Sequence, residues 1–166
     1  MKSSEELNIF LVDDDPLFLK VLEHDIRHFF ANVNIRTFLT GEECLKDIPE
    51  HPDAVILDYF LPGMNGLTTF LKIKEKNPDV PVVILSGNGN VKMMQQLFSE
   101  GVYDYVIKGS DYIQELRFSI SEIITGKNKK TESFILDNDM SNVLIIGVII
   151  LITIVLAWAF LILRTN

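Results

Sequence analysis

One cysteine, Cys44, stands among 166 residues, so no internal disulfide can form. A lone thiol suits a reducing compartment and reads as a small buried hydrophobe rather than a redox centre. Histidine is nearly as scarce, and His24, His28 and His51 have no companion ligands at metal-site spacing; they are expected to be solvated. Basic residues are outnumbered, 15 Lys+Arg against 23 Asp+Glu, and the deficit is concentrated: residues 1–126 hold 11 against 20, residues 127–166 hold 4 against 3. An acidic folded part argues against nucleic acid as a partner. No apolar segment long enough for a secretory signal precedes the first predicted strand, so the bulk of the chain is expected to stay in the cytoplasm.

Charge is wholly missing from Val143 to Leu163, where only Gly147, Thr153, Ala157, Trp158 and Ala159 interrupt a run of Leu, Ile, Val and Phe. A helix of that length would measure roughly 31 Å, close to the roughly 30 Å hydrocarbon core of a bilayer. Residues 143–163 are therefore expected to form a single transmembrane helix contacting the lipid bilayer. Lys127, Lys129 and Lys130 before it, against Arg164 after it, agree with a cytoplasmic amino-terminal side, and so with a single-pass protein of the inner membrane. Residues 127–142 are polar and without a clear period, and read as a linker.

What the first 126 residues do contain is an alternation of short apolar runs and helical periods. Asn8 to Val12, Asn34 to Phe38, Ala54 to Leu57, Val82 to Leu85 and Tyr105 to Ile107 read as strands. Asp15 can cap a helix opened by Pro16, with Leu17, Val21, Leu22, Ile26, Phe29 and Phe30 as its expected buried face. Thr40-Gly41-Glu42-Glu43 is a capping box for a short helix ended by Pro49. Further helices are predicted over Gly66 to Lys76, Asn90 to Glu100 and Ile113 to Ile124, the last two closed by Gly101 and Gly126. Five strand–helix units with short connections predict an α/β doubly wound parallel sheet of flavodoxin-like (βα)5 type, strand order 2-1-3-4-5.

In such a sheet ligands bind outside the carboxyl ends of the strands. Asp13 and Asp14 follow the first strand, Asp58 the third, Ser86 the fourth and Lys108 the fifth. Carboxylates so placed repel one another unless a cation joins them, and an all-oxygen set suits Mg²⁺. A carboxylate is also a nucleophile toward phosphorus, and Lys108, Ser86 and the bound cation would neutralise the transferring group.

Val12-Asp13-Asp14-Asp15-Pro16, Asp58 with Leu61-Pro62-Gly63-Met64-Asn65-Gly66, Ser86-Gly87, and Gly101 through Lys108 together resemble the receiver domain of two-component response regulators, over residues 7 to about 125. The resemblance implies a receiver domain at 1–126, not an enzyme beyond its own phosphorylation and dephosphorylation. Asp58 would accept a phosphoryl group from a histidine kinase or phosphotransfer protein. Asp13, Asp14, Asp58 and the Phe60 backbone carbonyl would hold Mg²⁺. Ser86 and Tyr105 would relay the event, Tyr105 by turning inward, and change a contact with a downstream protein near the membrane. Gly109 stands where the family usually has proline after the lysine, and Met94 and Leu97 where it often has alanine. Phe60, two residues past the acceptor, cannot orient an attacking water, so a lasting aspartyl phosphate is expected. The alternative is a membrane-tethered binding module that keeps the receiver shape without being phosphorylated.

Overall fold

The computed structural model describes residues 6–87 and 89–126. The expected linker, 127–142, and the expected span, 143–163, lie outside the described residues. Among those described, no helix is long and apolar enough to cross a membrane.

Five strands and five helices alternate: β1 (Leu7–Val12), α1 (Pro16–Phe29), β2 (Val33–Phe38), α2 (Gly41–Asp47), β3 (Ala54–Asp58), α3 (Gly66–Lys76), β4 (Val82–Ser86), α4 (Val91–Ser99), β5 (Asp104–Ile107) and α5 (Tyr112–Thr125). All strand pairs are parallel, in the order β2-β1-β3-β4-β5. Every residue of β3 and β4 is buried, as strands covered on both faces must be, which is why they read as unbroken apolar runs rather than alternations.

The sheet separates two apolar layers. Phe10, Val55, Leu57, Phe70, Ile73, Ile84 and Leu97 pack on one face with Cys44. Ile9, Leu11, Leu22, Ile26, Ile56, Leu85, Leu116 and Ile120 pack on the other, between the sheet and the α1 and α5 helices. Burial pushes the Cys44 thiol up to about 12, so it stays protonated and behaves as the small hydrophobe expected.

Caps set the helix starts. Asp15 Oδ1 accepts from the amides of Leu17 and Phe18, with Pro16 in the first turn. Thr40 Oγ1 accepts from the Glu43 amide as a capping box requires, but Glu43 Oε2 reaches back to the Leu39 amide instead of that of Thr40. After α2 the chain makes one 3-10 turn, Ile48–Glu50, before β3.

The face of α1 differs from expectation in part: Leu22 and Ile26 are buried as expected. Leu17 and Val21 are 70% and 53% exposed, and the buried stripe is Leu19, Leu22 and Ile26. Both sets recur at helical spacing, but Leu17 and Val21 lie about 100–180° around the axis from Leu22 and Ile26. Each fully buried Leu or Ile contributes about 1.5–3 kcal/mol. The sheet therefore takes the stripe that offers three such residues.

Candidate functional site

Strand register brings the polar residues to one level. Val12 pairs with Leu57, so Asp13 and Asp58 leave adjacent strands side by side; Asp58 pairs with Leu85, and Ser86 pairs with Ile107, next to Lys108. The Asp13 amide bonds to Phe38 O and the Lys108 amide to Ser86 O, which extends the ladders just past the last strand residues. Acids and a lysine are thus fixed by backbone pairing rather than by loops.

Asp13 and Asp58 are 3% and 4% exposed and Ser86 is fully buried, whereas Asp14 is exposed. Lys108 Nζ donates to Asp13 Oδ2 at 2.6 Å and pairs with Asp58 Oδ1 at 3.0 Å. Asp13 Oδ1 accepts from the Asp15 amide, and Asp58 Oδ2 accepts from the Phe60 amide at 3.1 Å. Both carboxylates are held in one orientation. Burial raises the Asp58 carboxyl above the usual range, Lys108 opposes this, and Asp13 adds to it. Burial alone would lower the Lys108 ammonium, yet Asp13 and Asp58 reverse that and raise it.

Asp58 Oδ1 is buried and meets the Lys108 ammonium at 3.0 Å as an ion pair, with no further hydrogen-bond donor. Asp13, Asp14 and Asp58 each offer an oxygen, all within 4.8 Å of one another. Three carboxylate oxygens gathered so closely, one of them buried with an ammonium as its partner, make an all-oxygen donor set that fits a hard divalent cation.

The turn after Asp58 is shaped by glycine. A Cβ on Gly66 would stand 2.5 Å from the Tyr59 Cα and 2.6 Å from the Asp58 carbonyl oxygen, and the Gly66 amide donates to Tyr59 O. Only glycine lets α3 begin against the backbone of the acidic residue. Asn65 then caps α3 through the Thr68 amide.

Tyr105 is 7% exposed and packs in the layer containing Ile84 and Leu97, so it already occupies the inward position. Leu97 is fully buried there and Met94 packs alongside, the bulk expected of this helix. Phe60 is half exposed. The peptide bond joining Lys108 and Gly109 is trans, like all others described.

One contact was not anticipated. Lys108 Nζ lies 4.5 Å from the centre of the Phe18 ring. Phe18 follows the acidic pair by one helical turn, and that position beside the crevice was its only signal in the sequence.

Residues 9–120 match the response regulator receiver domain family, and the chain belongs to it. It is similar to the C4-dicarboxylate transport transcriptional regulatory protein DctD of Rhizobium meliloti, 31% identical over 102 residues, which are 61% of this chain and 22% of that protein. It is also similar to the regulatory protein LuxO of Vibrio cholerae, 30% identical over 112 residues, 67% of this chain and 23% of the other. The chain thus spans about a quarter or less of the length of these curated relatives. Among solved structures, the BeF3-activated DrrB receiver domain superimposes with a TM-score of 0.64 at 29% identity, covering 72% of this chain and 97% of that one.

Proposed function

We propose that this receiver domain accepts a phosphoryl group on Asp58 from a histidine kinase or phosphotransfer protein, and so switches a protein contact at the inner face of a membrane. One observation carries the reading: a lysine ammonium bridges Asp13 and Asp58 at the carboxyl ends of three parallel strands, and the Asp58 oxygen it meets has no further hydrogen-bond donor.

Asp58 must be ionised to attack, and burial works against that; Lys108 beside it favours the charged form. The Phe60 amide fixes the carboxylate plane through Oδ2, which leaves Oδ1 with spare acceptor capacity. An Asp58 oxygen forms the new bond to phosphorus as the donor's bond to phosphorus breaks in line, the electron pair leaving with the donor. Lys108 and the Ser86 hydroxyl then meet the phosphoryl oxygens. Asp13, Asp14, Asp58 and the Phe60 backbone carbonyl would hold Mg²⁺, which when bound supplies positive charge to the transferring group. The BeF3-activated state of DrrB, a relative at 29% identity, supports the same reading of this acidic cluster.

The new charge at Asp58 would draw Ser86 toward it and bias the packing of Tyr105. Because Tyr105 packs inward in this structure, the inward position does not itself require the phosphoryl group, and the switch is a shift of populations. Phe60 offers no hydrogen bond to a water, which favours a lasting phosphoryl group. Residues 143–163 would anchor the domain, because their 21 residues carry no charge and match a bilayer in length. The domain would then lie in the cytoplasm.

Incubation with acetyl phosphate and Mg²⁺ should add one phosphoryl group to wild type and none to Asp58→Ala, by intact mass. Absence of Asp58-dependent labelling would favour the phosphorylation-independent binding module. Deletion of 143–163 should release the protein from membranes under alkaline extraction, and continued retention would contradict the anchor.

A further inference from the structure

Lys108 is held on a third side that the carboxylates do not explain. Its ammonium faces Asp13 at 2.6 Å and Asp58 at 3.0 Å, and sits 4.5 Å from the centroid of Phe18. The Phe18 amide is bonded to Asp15 Oδ1, so the cap that starts α1 also fixes where this ring begins. The ring in turn meets that of Tyr112, at the start of α5, with centroids 5.8 Å apart and planes tilted by 41°. Both aromatics are half-buried against the layer formed with α1 and α5. Tyr112 also faces Asp25 on α1, which with burial raises its phenol.

We infer that Phe18 is a positioning residue for phosphoryl transfer: its ring face seats the Lys108 ammonium in the Asp13–Asp58 crevice, and Tyr112 buttresses the ring. The inference rests on Asp58 being the phosphoacceptor. A lysine has a flexible four-carbon stem ending in a compact, strongly hydrated charge. Two carboxylates attract that charge but leave water free to approach it from behind. An aromatic face excludes the water there and attracts the cation through its quadrupole, most strongly where the contact is desolvated. Leucine at 18 would fill much of the space with no such face, whereas tyrosine would keep the face. Packing and cation–π attraction are thereby separable.

The test uses the full-length chain in mild detergent, with acetyl phosphate and Mg²⁺. Phe18→Leu should lower the maximal rate of Asp58 phosphorylation about 3- to 10-fold, with little change in the half-saturating donor concentration, and Phe18→Tyr should recover most of the loss. A second readout needs no phosphorylation: the ring current of Phe18 should move the Lys108 ε-methylene proton resonance upfield in wild type, and Phe18→Leu should return it to the ordinary lysine position. Tyr112→Leu should give a smaller version of both effects. Normal labelling in Phe18→Leu with an unmoved Lys108 resonance would overturn the inference and leave Asp58 as phosphoacceptor. Equal losses in Phe18→Leu and Phe18→Tyr would overturn it in favour of plain packing. Wild type that takes up no label would overturn the phosphoacceptor reading and this inference together.

Discussion

The two ends of the same sheet solve different problems. At the amino ends the polar groups are exposed: the Asn8 amide donates to Asp53 Oδ2 at 2.7 Å, the Asp53 amide returns to Asn8 O, and Asn34 reaches Asn8 across β1 and β2. Water competes for each of these bonds, so each is worth little. At the carboxyl ends two buried carboxylates face one ammonium, and the buried Ser86 closes the neighbouring strand. A fold gains nothing in stability from charges arranged so. The difference teaches that the amino end closes the sheet, whereas the carboxyl end is maintained at a cost for its chemistry.

The contrast can be broken by substitution, and the largest effect should fall on activity. Asp58→Asn should abolish phosphoryl uptake while making the protein more stable at neutral pH, measured by urea unfolding without Mg²⁺. The sign follows from burial. A carboxyl whose folded pKa is raised destabilises the fold once ionised, so stability falls as pH rises from the ordinary carboxylate range through the raised folded value. The gain from Asp58→Asn should therefore vanish in acid. For the same reason the affinity for Mg²⁺, followed by calorimetric titration, should weaken as the pH is lowered and Asp58 takes up a proton.

Lys108→Met should come next, costing about 2–3 kcal/mol at neutral pH because Asp13 and Asp58 would face each other without a counter-charge. Lowering the pH should recover part of that loss by protonating one of them. Gly66→Ala should cost about 1–3 kcal/mol, since the added methyl meets backbone at Asp58 and Tyr59. The smallest effect belongs to the other end of the sheet. Asp53→Ala should cost about 0.5 kcal/mol and leave phosphoryl uptake unchanged. If Asp53→Ala proved as costly as Lys108→Met, the contrast between the two ends would fail.

Much of this was legible in the sequence because strand ends and turns are written locally. The apolar runs ending in Asp13, Asp58, Ser86 and Lys108 placed the strands, and parallel connectivity brought those residues to one edge. Asp15 and Thr40 announced their helices. The side of α1 that faces the sheet was only partly legible: Leu22 and Ile26 were expected there, Leu19 was not. Its apolar residues go most of the way round the helix, and only packing against β1 and α5 selects Leu19, Leu22 and Ile26 over Leu17 and Val21. Phe18 was missed for a related reason: a ring beside an ammonium joins two residues 90 positions apart, and no local period records such a contact.

Asp58 as phosphoacceptor is tested most directly by where a phosphoryl group goes. Protein treated with acetyl phosphate and Mg²⁺, reduced with borohydride and digested, should yield homoserine at position 58, the product of an aspartyl phosphate there. Conversion at another acid, or none in phosphodonor-treated wild type, would contradict it.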